Sequence, residues 1–582
     1  LDFNYISGPT PTFSGIEQRL GNFLTLPEAL DYAASGETGL NFYSVRGELT
    51  EALPYRTLRV EAIALARKLL ARGLKRQDPV AIIAETRPDF VRIFFACQYA
   101  GLIPVPLPLP FAFGGREAYV AHIGRLIIEA KATALFAPKA LIGWLSPFAE
   151  DQGLALCSTV ADLSEAPDAD VALPVIGVDD TAYLQFSSGS TRFPIGVVIK
   201  QRALMANVSA MLSHGLEIRP DDRAVSWLPL YHDMGLVGFL LTPVSGQVTV
   251  DLLATQDFAR RPQLWLSLIS NGRGTISYSP SFGYDLCARR EQSISRADLD
   301  LSSWRIAGIG GDMIRPAVLS GFAKLFAACG FRPEAFLPSY GMAEATLAIS
   351  FAPIGRGIEM DTIDLDLMEQ VGIIQAPADE NSRVRTVVLC GVALPNHEIE
   401  IRDADGAVLA DRRVGRIFAR GASVMQGYNG RPDETGVNLS ADGWLATGDL
   451  GYHLGKTLVV TGRAKDLIII NGRNIWPQDL EWTVERTSPE VRTGDVAAFS
   501  VEEDGQEILL LAVESRSITD PAASRRLIED VSGTIRAQHG LDCRVILLTP
   551  GSLSYTSSGK LSRSLTRQHY LAEALPRVVV SA

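Results

Sequence analysis

The chain has 582 residues, 47% of them hydrophobic and 21% charged, with a formal net charge of −12. That length exceeds what one hydrophobic core can organise, so two or more domains are expected. The acidic balance argues against a general nucleic-acid binder, which needs a basic face, and no apolar run approaches a membrane span. The six cysteines (Cys97, Cys157, Cys287, Cys329, Cys390, Cys543) are scattered without a CxxC pair. They read as reduced thiols rather than a disulfide framework. The seven histidines show no metal-ligand spacing. No basic segment precedes an apolar run at the start, so a cytoplasmic location is the expectation. Residues 461–582 hold 14 Lys/Arg and 16 Asp/Glu, so most of the negative charge lies before them. A less acidic tail would repel an acidic protein partner less.

In chain order, the first two dozen residues lack periodicity and read as a loosely packed arm. From Thr25 the pattern becomes α/β. Residues 58–72 have the apolar spacing of an amphipathic helix, 79–84 read as a buried strand and 89–99 as a further helix. Alternating prolines punctuate 101–109. The alternation continues to about Gly421, which predicts mostly parallel, doubly wound sheets with helices. Within it, Tyr183, Leu184 and Phe186 end a strand, and Gly196-Val197-Val198-Ile199 begin another. Between them Ser187-Ser188-Gly189-Ser190-Thr191 offers short donors and little bulk, which suits polyphosphate oxygens. It is not a Walker loop, since no Gly-Lys-Ser/Thr follows at the required spacing. Residues 351–384 break the composition: Glu359, Asp361, Asp364, Asp366 and Glu369 crowd a stretch with no clean period, as in a solvated surface excursion. A second boundary falls near Arg463-Ala464-Lys465-Asp466, beyond which the chain is the size of a small independent domain.

Four further segments follow the Ser/Gly loop in order: residues 227–235 (WLPLYHDMG), 338–350 (PSYGMAEATLAIS), 443–452 with 462–481 (GWLATGDLGY; GRAKDLIIINGRNIWPQDLE), and 554–563 (SYTSSGKLSR). With these the chain resembles the adenylate-forming superfamily of acyl-CoA synthetases and nonribosomal-peptide adenylation domains, and within it the fatty acyl-AMP ligases. The resemblance runs from about residue 23 to about 563. It implies an α/β fold with a large N-terminal domain over 1–464, carrying a family-type insertion at about 354–380. A small mobile C-terminal α+β domain over 465–582 would carry the catalytic lysine.

Making an acyl adenylate drives a carboxylate against the α-phosphate of ATP, so the site must hold phosphates and neutralise charge. Magnesium and a lysine suit that task. Lys560 matches the family's catalytic lysine. Glu344 matches its Mg²⁺ ligand, although without the motif residues 343–349 read as the start of a helix with the glutamate facing solvent. Ser339, Tyr340, Gly341 and Met342 would line the adenine, with Gly310, Gly311 and Asp312 opposite, and the Tyr340 ring is suited to stacking on a purine. Asp449 corresponds to the ribose-binding aspartate and Arg463 to a second ribose or phosphate contact. Without the motif Asp449 reads as a turn residue. Lys465 falls at the hinge. His232, with Asp233, would border the acyl carboxylate, and Tyr278, Ser279 and Phe282 would wall the acyl pocket.

Two departures stand out. Most of the superfamily continues the phosphate loop as Thr-Gly-x-Pro-Lys-Gly, but here Thr191-Arg192-Phe193-Pro194-Ile195-Gly196 puts Ile195 in place of the lysine and Arg192 in place of a glycine. Arg192 could supply the cation. Before the Lys560 motif, Ser554-Tyr555 replaces the usual Pro-Lys, which puts the loop's rigidity in question. The reading is an ATP- and Mg²⁺-dependent enzyme that converts a medium- or long-chain fatty acid to acyl-AMP and pyrophosphate. The acyl group would then pass to an acyl carrier protein or a carrier domain of a polyketide or nonribosomal-peptide synthase. Alternatives are an acyl-CoA synthetase and a non-catalytic acyl- or nucleotide-binding relative.

Overall fold

A computed structural model describes residues 8–110, 115–187, 194–290, 298–470, 472–503, 506–516, 520–556 and 560–576. Among them a nine-stranded sheet runs in the order Val392–Ala393, Ala348–Phe351, Phe336–Gly341, Ile306–Ile309, Ile276–Ser279, Arg223–Ser226, Thr249–Leu253, Gly39–Tyr43, Leu49–Pro54. The five junctions from Phe336–Gly341 to Gly39–Tyr43 are parallel, and the outer ones antiparallel. Strands such as Thr249–Leu253 are buried along their whole length, as expected where helices cover both faces.

A second sheet, Ile103–Leu107, Pro79–Ile83, Ala134–Phe136, Leu156–Ser158, is parallel throughout. The proline-punctuated stretch is thus a strand. Pro104 and Pro106 are accommodated because Ile103–Leu107 has a hydrogen-bonded neighbour on one side only. The helices Tyr55–Ala71 and Pro88–Ala100 lie where the apolar spacing places them.

Parallel order ends earlier than expected. His397–Arg402, Gly415–Gly421, Leu445–Leu454 and Thr457–Arg463 form an antiparallel sheet. Beyond it, helices Pro477–Thr487 and Pro521–His539 pack on a three-stranded sheet, Val496–Glu503, Gln506–Glu514, Arg544–Leu548. Two buried clusters there draw only on residues from Ile468 onward.

Two expectations about loose segments are corrected. The N-terminal arm is tied to the sheet: Thr10 N–H donates to Asn41 Oδ1 at 2.8 Å and Arg223 Nη1 to Thr10 O at 3.0 Å. Behind them Arg223 grips Asp251 through two 2.7 Å contacts, and Asn41 Nδ2 donates to the same carboxylate. The acidic stretch is likewise no solvated excursion. Met360–Asp364 pairs antiparallel with Val384–Val388, and the helix Leu365–Val371 lies between them in sequence. Ile363, Met368 and Val387 join Tyr452, Val459 and Trp476 in one buried cluster. The acids find partners: Asp361 meets Arg412 and the Tyr452 hydroxyl, Asp364 caps the helix at Leu367 N–H, and Asp366 pairs with Arg383. Glu369, 2% exposed, lies between Arg383 (3.1 Å) and Arg473 (2.6 Å).

Candidate active site

A cavity of about 1080 Å³ opens at the carboxyl ends of the parallel strands, where α/β sheets commonly bind ligands. The antiparallel sheet and the C-terminal chain close its other walls. Gly310, Gly311 and Asp312 follow the strand Ile306–Ile309 into it. Ser339, Tyr340 and Gly341 end the next strand at its edge, followed by Met342, and all line the cavity. The Tyr340 hydroxyl donates to Asp449 Oδ2 at 2.8 Å, and Arg463 Nε lies 3.5 Å from Asp449 Oδ1. Burial pushes the Asp449 carboxyl up, while Arg463, the Tyr340 hydrogen bond and Lys560 pull it down. Asp449 is therefore no isolated turn residue.

Glu344 is 6% exposed. The helix suggested for this segment is only one 3₁₀ turn, Ala343–Ala345. Thr346 then takes φ +70°, ψ −58°, and Leu347 N–H donates to Ala345 O at 2.9 Å, a γ-turn that a β-branched residue rarely adopts. Such a turn costs on the order of 1–3 kcal/mol and persists only where its surroundings hold it. The segment 423–428 does so at three points. Thr346 Oγ1 donates to Ser423 O at 2.7 Å, Met425 N–H to Glu344 O at 2.8 Å, and the Tyr428 hydroxyl to Glu344 Oε1 at 3.1 Å. Burial raises the pKa of Glu344, and the charge of Asp233 adds to this. Among the described residues no group of three or more His, Cys, Asp or Glu could hold a metal. A single carboxylate lining the cavity still fits Mg²⁺, which binds one or two carboxylates and completes its shell with phosphate oxygens and water.

Lys560 lines the same cavity. Burial lowers its pKa and Arg463 lowers it further, while Asp312, Asp233 and Asp449 raise it. The ends of its loop are fixed. Thr556 N–H donates to Lys560 O at 2.8 Å, Tyr555 bridges Leu561, and the Tyr555 hydroxyl donates to Gly494 O at 2.8 Å. Ser554 Oγ lies 3.1 Å from His569 Nδ1. Ser554 and Tyr555 thus anchor the segment that the missing Pro-Lys put in question. Arg563 adds a fork of two 2.7 Å contacts to Glu481 and one of 2.9 Å to Asp466, joining the lysine loop to the 3₁₀ turn Ala464–Asp466 that holds Lys465.

His232 and Asp233 open a helical run that passes from Asp233–Leu236 through the π-helical Val237–Leu241 to Thr242–Gly246, and π segments are frequent at functional sites. His232 Nδ1 is 2.6 Å from Asp233 Oδ1. Burial works to raise the Asp233 carboxyl, but His232, Lys560 and the Met234 N–H hold it below the usual range. Further along the run Phe239 and Thr242 line an apolar arm of the cavity with Met211, Leu216, Ile276 and Phe351. Tyr278 lies on the Ile276 face, its ring 6.2 Å from Phe239. A Cβ at Gly308 would come within 2.0 Å of that ring, so the neighbouring strand needs glycine there.

Ser279 and Phe282 are not among the lining residues. Ser279 Oγ donates to Pro280 O at 2.7 Å, and the Phe282 ring packs edge-on against Trp227. Ser187 lines the cavity, while Ser188, Gly189, Ser190, Thr191 and Arg192 lie outside the described residues. Sequence reasoning assigned no role to Tyr428 and Arg563, which line the cavity and also bond to Glu344 and to Glu481 and Asp466 respectively. All six cysteines are free, and no described helix is long and apolar enough to cross a membrane.

The profile of the AMP-binding enzyme family matches residues 39–429. A Caulobacter vibrioides protein with a provisional acyl-CoA synthetase name is 52% identical over 563 residues, covering 97% of this chain and 98% of that protein. The medium-chain-fatty-acid–[acyl-carrier-protein] ligase JamA of Moorena producens is 31% identical over 571 residues, covering 95% and 96%. A solved structure from work on the fatty acyl-adenylate ligases of E. coli and L. pneumophila superposes with a TM-score of 0.92 at 46% identity, covering 96% of this chain and 99% of that one. The chain therefore belongs to the AMP-binding enzyme family, with the fatty acyl-adenylate ligases among its structural neighbours.

Proposed function

We propose that the enzyme activates a medium- or long-chain fatty acid with ATP and hands the acyl group to the phosphopantetheine thiol of a carrier protein. The observation that carries the first half is the continuity of one cavity from the polar end at Tyr340, Asp449, Arg463 and Lys560 to the apolar arm at Met211, Ile276 and Phe351. A carboxylate at the head of a chain seated in that arm lies where the charged groups converge. Its oxygen attacks the α-phosphorus, the bond to the bridging oxygen breaks, and pyrophosphate leaves. Lys560 and His232 face the developing charge, Asp449 and Arg463 hold the ribose, and Tyr340 with Gly310 and Gly311 bounds the adenine. Glu344 would hold Mg²⁺, which would supply positive charge to the phosphates when bound. Pyrophosphate release that depends on an added fatty acid tests this half.

In the second step the thiol sulfur attacks the acyl carbonyl and AMP leaves. The segment beyond Lys465 acts as a lid that must turn for the thiol to enter. The unit formed by Met360–Asp364, Leu365–Val371 and Val384–Val388 opposes that turn through three polar links. Glu369 meets Arg473, Arg383 Nε donates to Gln538 O at 3.1 Å, and Arg385 pairs with Asp479 at 3.0 Å. A carrier protein offsets the cost of turning with its own contacts, whereas free coenzyme A has fewer to offer. The provisional synthetase name of the Caulobacter relative supports the other acceptor, so the acceptor is measured directly. The intact enzyme is expected to accumulate acyl-AMP and make little acyl-CoA. Shortening the unit would strip the cluster around Trp476, so the gentler pair Glu369→Gln with Arg473→Gln is preferred. It should raise acyl-CoA relative to acyl-AMP. Equal turnover of both by the intact enzyme would assign it to the synthetases.

A further inference from the structure

We propose that Arg125, on the helix Arg116–Ala130, binds the β- and γ-phosphates of ATP and the pyrophosphate they become, supplying a positive charge that the phosphate loop lacks at Ile195. This rests on the adenylation reading above.

The placement of the helix carries the inference. At its loop end the cavity is lined by Phe186, Ser187, Pro194 and Ile195 of the hairpin, and by His122 and Arg125 of this helix. Ile195 contributes a buried alkyl chain. The helix is fastened to the hairpin by packing: Ile123, Leu126 and Ile127 share one apolar cluster with Leu184 and Phe186. It is also fastened by hydrogen bonds through Asn429. The Asn429 N–H donates to Gly196 O at 2.8 Å and its Nδ2 to Glu129 O at 3.1 Å. The Glu129 carboxylate takes a fork from Arg431, at 2.8 and 2.9 Å. Residues 122, 125 and 129 follow a helical stripe, so the contacts that dock Glu129 beside Gly196 bring Arg125, one turn earlier, to the side of the cavity where Ser187 faces Ile195.

The chemistry suits the ligand. A guanidinium presents a planar fork to two phosphate oxygens and keeps its charge at any working pH. Arg463, Lys560 and Arg563 instead sit among Asp449, Asp312, Asp233 and Asp466, at the nucleotide and lysine-loop end. Burial, with the charge of Arg125 adding to it, holds His122 down to about 4, so its imidazole is neutral at pH 7, and among the described residues lining this wall the cation is Arg125. Arg125 is exposed at the rim, where a departing dianion would pass.

Calorimetric titration of Mg²⁺-pyrophosphate, and of an acyl sulfamoyl-adenosine that lacks the β- and γ-phosphates, into wild type, Arg125→Gln, Arg125→Lys and Arg192→Gln decides the matter. Arg125→Gln should weaken pyrophosphate about tenfold or more and leave the acyl-nucleoside unchanged, with Arg125→Lys between the two. KM for ATP should rise in parallel, with KM for the fatty acid unmoved. The proposal is overturned if Arg125→Gln binds pyrophosphate like wild type, if both ligands weaken alike, or if only Arg192→Gln shows the selective loss. Wild type that binds pyrophosphate but never releases it on adding a fatty acid would instead count against the adenylation reading alone.

Discussion

Lys560→Ala is expected to lower the rate of acyl-AMP formation by roughly 10²–10³, or about 2.7–4 kcal/mol of transition-state stabilisation, with ATP binding little changed. On the proposed reading the lysine acts on charge that grows as the carboxylate meets the phosphate, so its loss would weaken the transition state more than the ground state. Its surroundings point the same way. Removing the ammonium leaves Asp312, Asp233 and Asp449 facing the cavity with less opposing charge, in a region already buried. Fatty-acid-dependent pyrophosphate release, set beside ATP titration, separates the two effects. Near-wild-type release would mean that Lys560 only balances its neighbours.

Arg563→Ala is expected to cost stability rather than chemistry alone. Glu481 is 2% exposed in its side chain, and Arg563 supplies both contacts of a fork to it as well as one to Asp466. Deleting one member of a buried ion pair typically costs about 3–5 kcal/mol, because the remaining charge is stranded. The Ala498 N–H still donates to Glu481, which offsets part of that. Chemical denaturation and hydrogen exchange should show a loss concentrated in residues 466–576, and Arg563→Lys, which keeps the charge but not the fork, should recover some of it. Unchanged protection of that segment would show that the three-way pairing contributes little.

Much of the site was legible because its residues are adjacent in sequence. Gly310-Gly311-Asp312, Ser339 to Met342, Asp449 and Lys560 each belong to a short motif, and all line one cavity. What escaped depends on distant partners. Nothing near Glu344 announces that Tyr428 will donate to it, and nothing in the acidic stretch reveals that Arg412 and Arg473 will answer its carboxylates. The threading of Thr10 onto Asn41 and Arg223 is equally silent in an aperiodic arm. Ser279 was a different kind of miss. With Tyr278 turned into the cavity, the two-residue period of a strand places Ser279 on the opposite face, so alternation alone could have excluded it. The division at residue 465 was drawn from a motif and a size, and the clusters from Ile468 onward are compatible with a separate lobe.

The single cavity that joins the charged end to the apolar arm has a consequence for how the intermediate behaves. Acyl-AMP is there a two-headed ligand, its nucleotide and its chain tethered by one anhydride bond. Once either end is seated, the other meets its subsite at the high effective concentration set by a short link. AMP and the free acid each engage only half of the same surface, and each loses translational freedom separately. On the reading proposed above, the mixed anhydride would be held more tightly than either of the pieces that hydrolysis would leave, and a bond that water would readily cleave could wait in the enzyme for its acceptor.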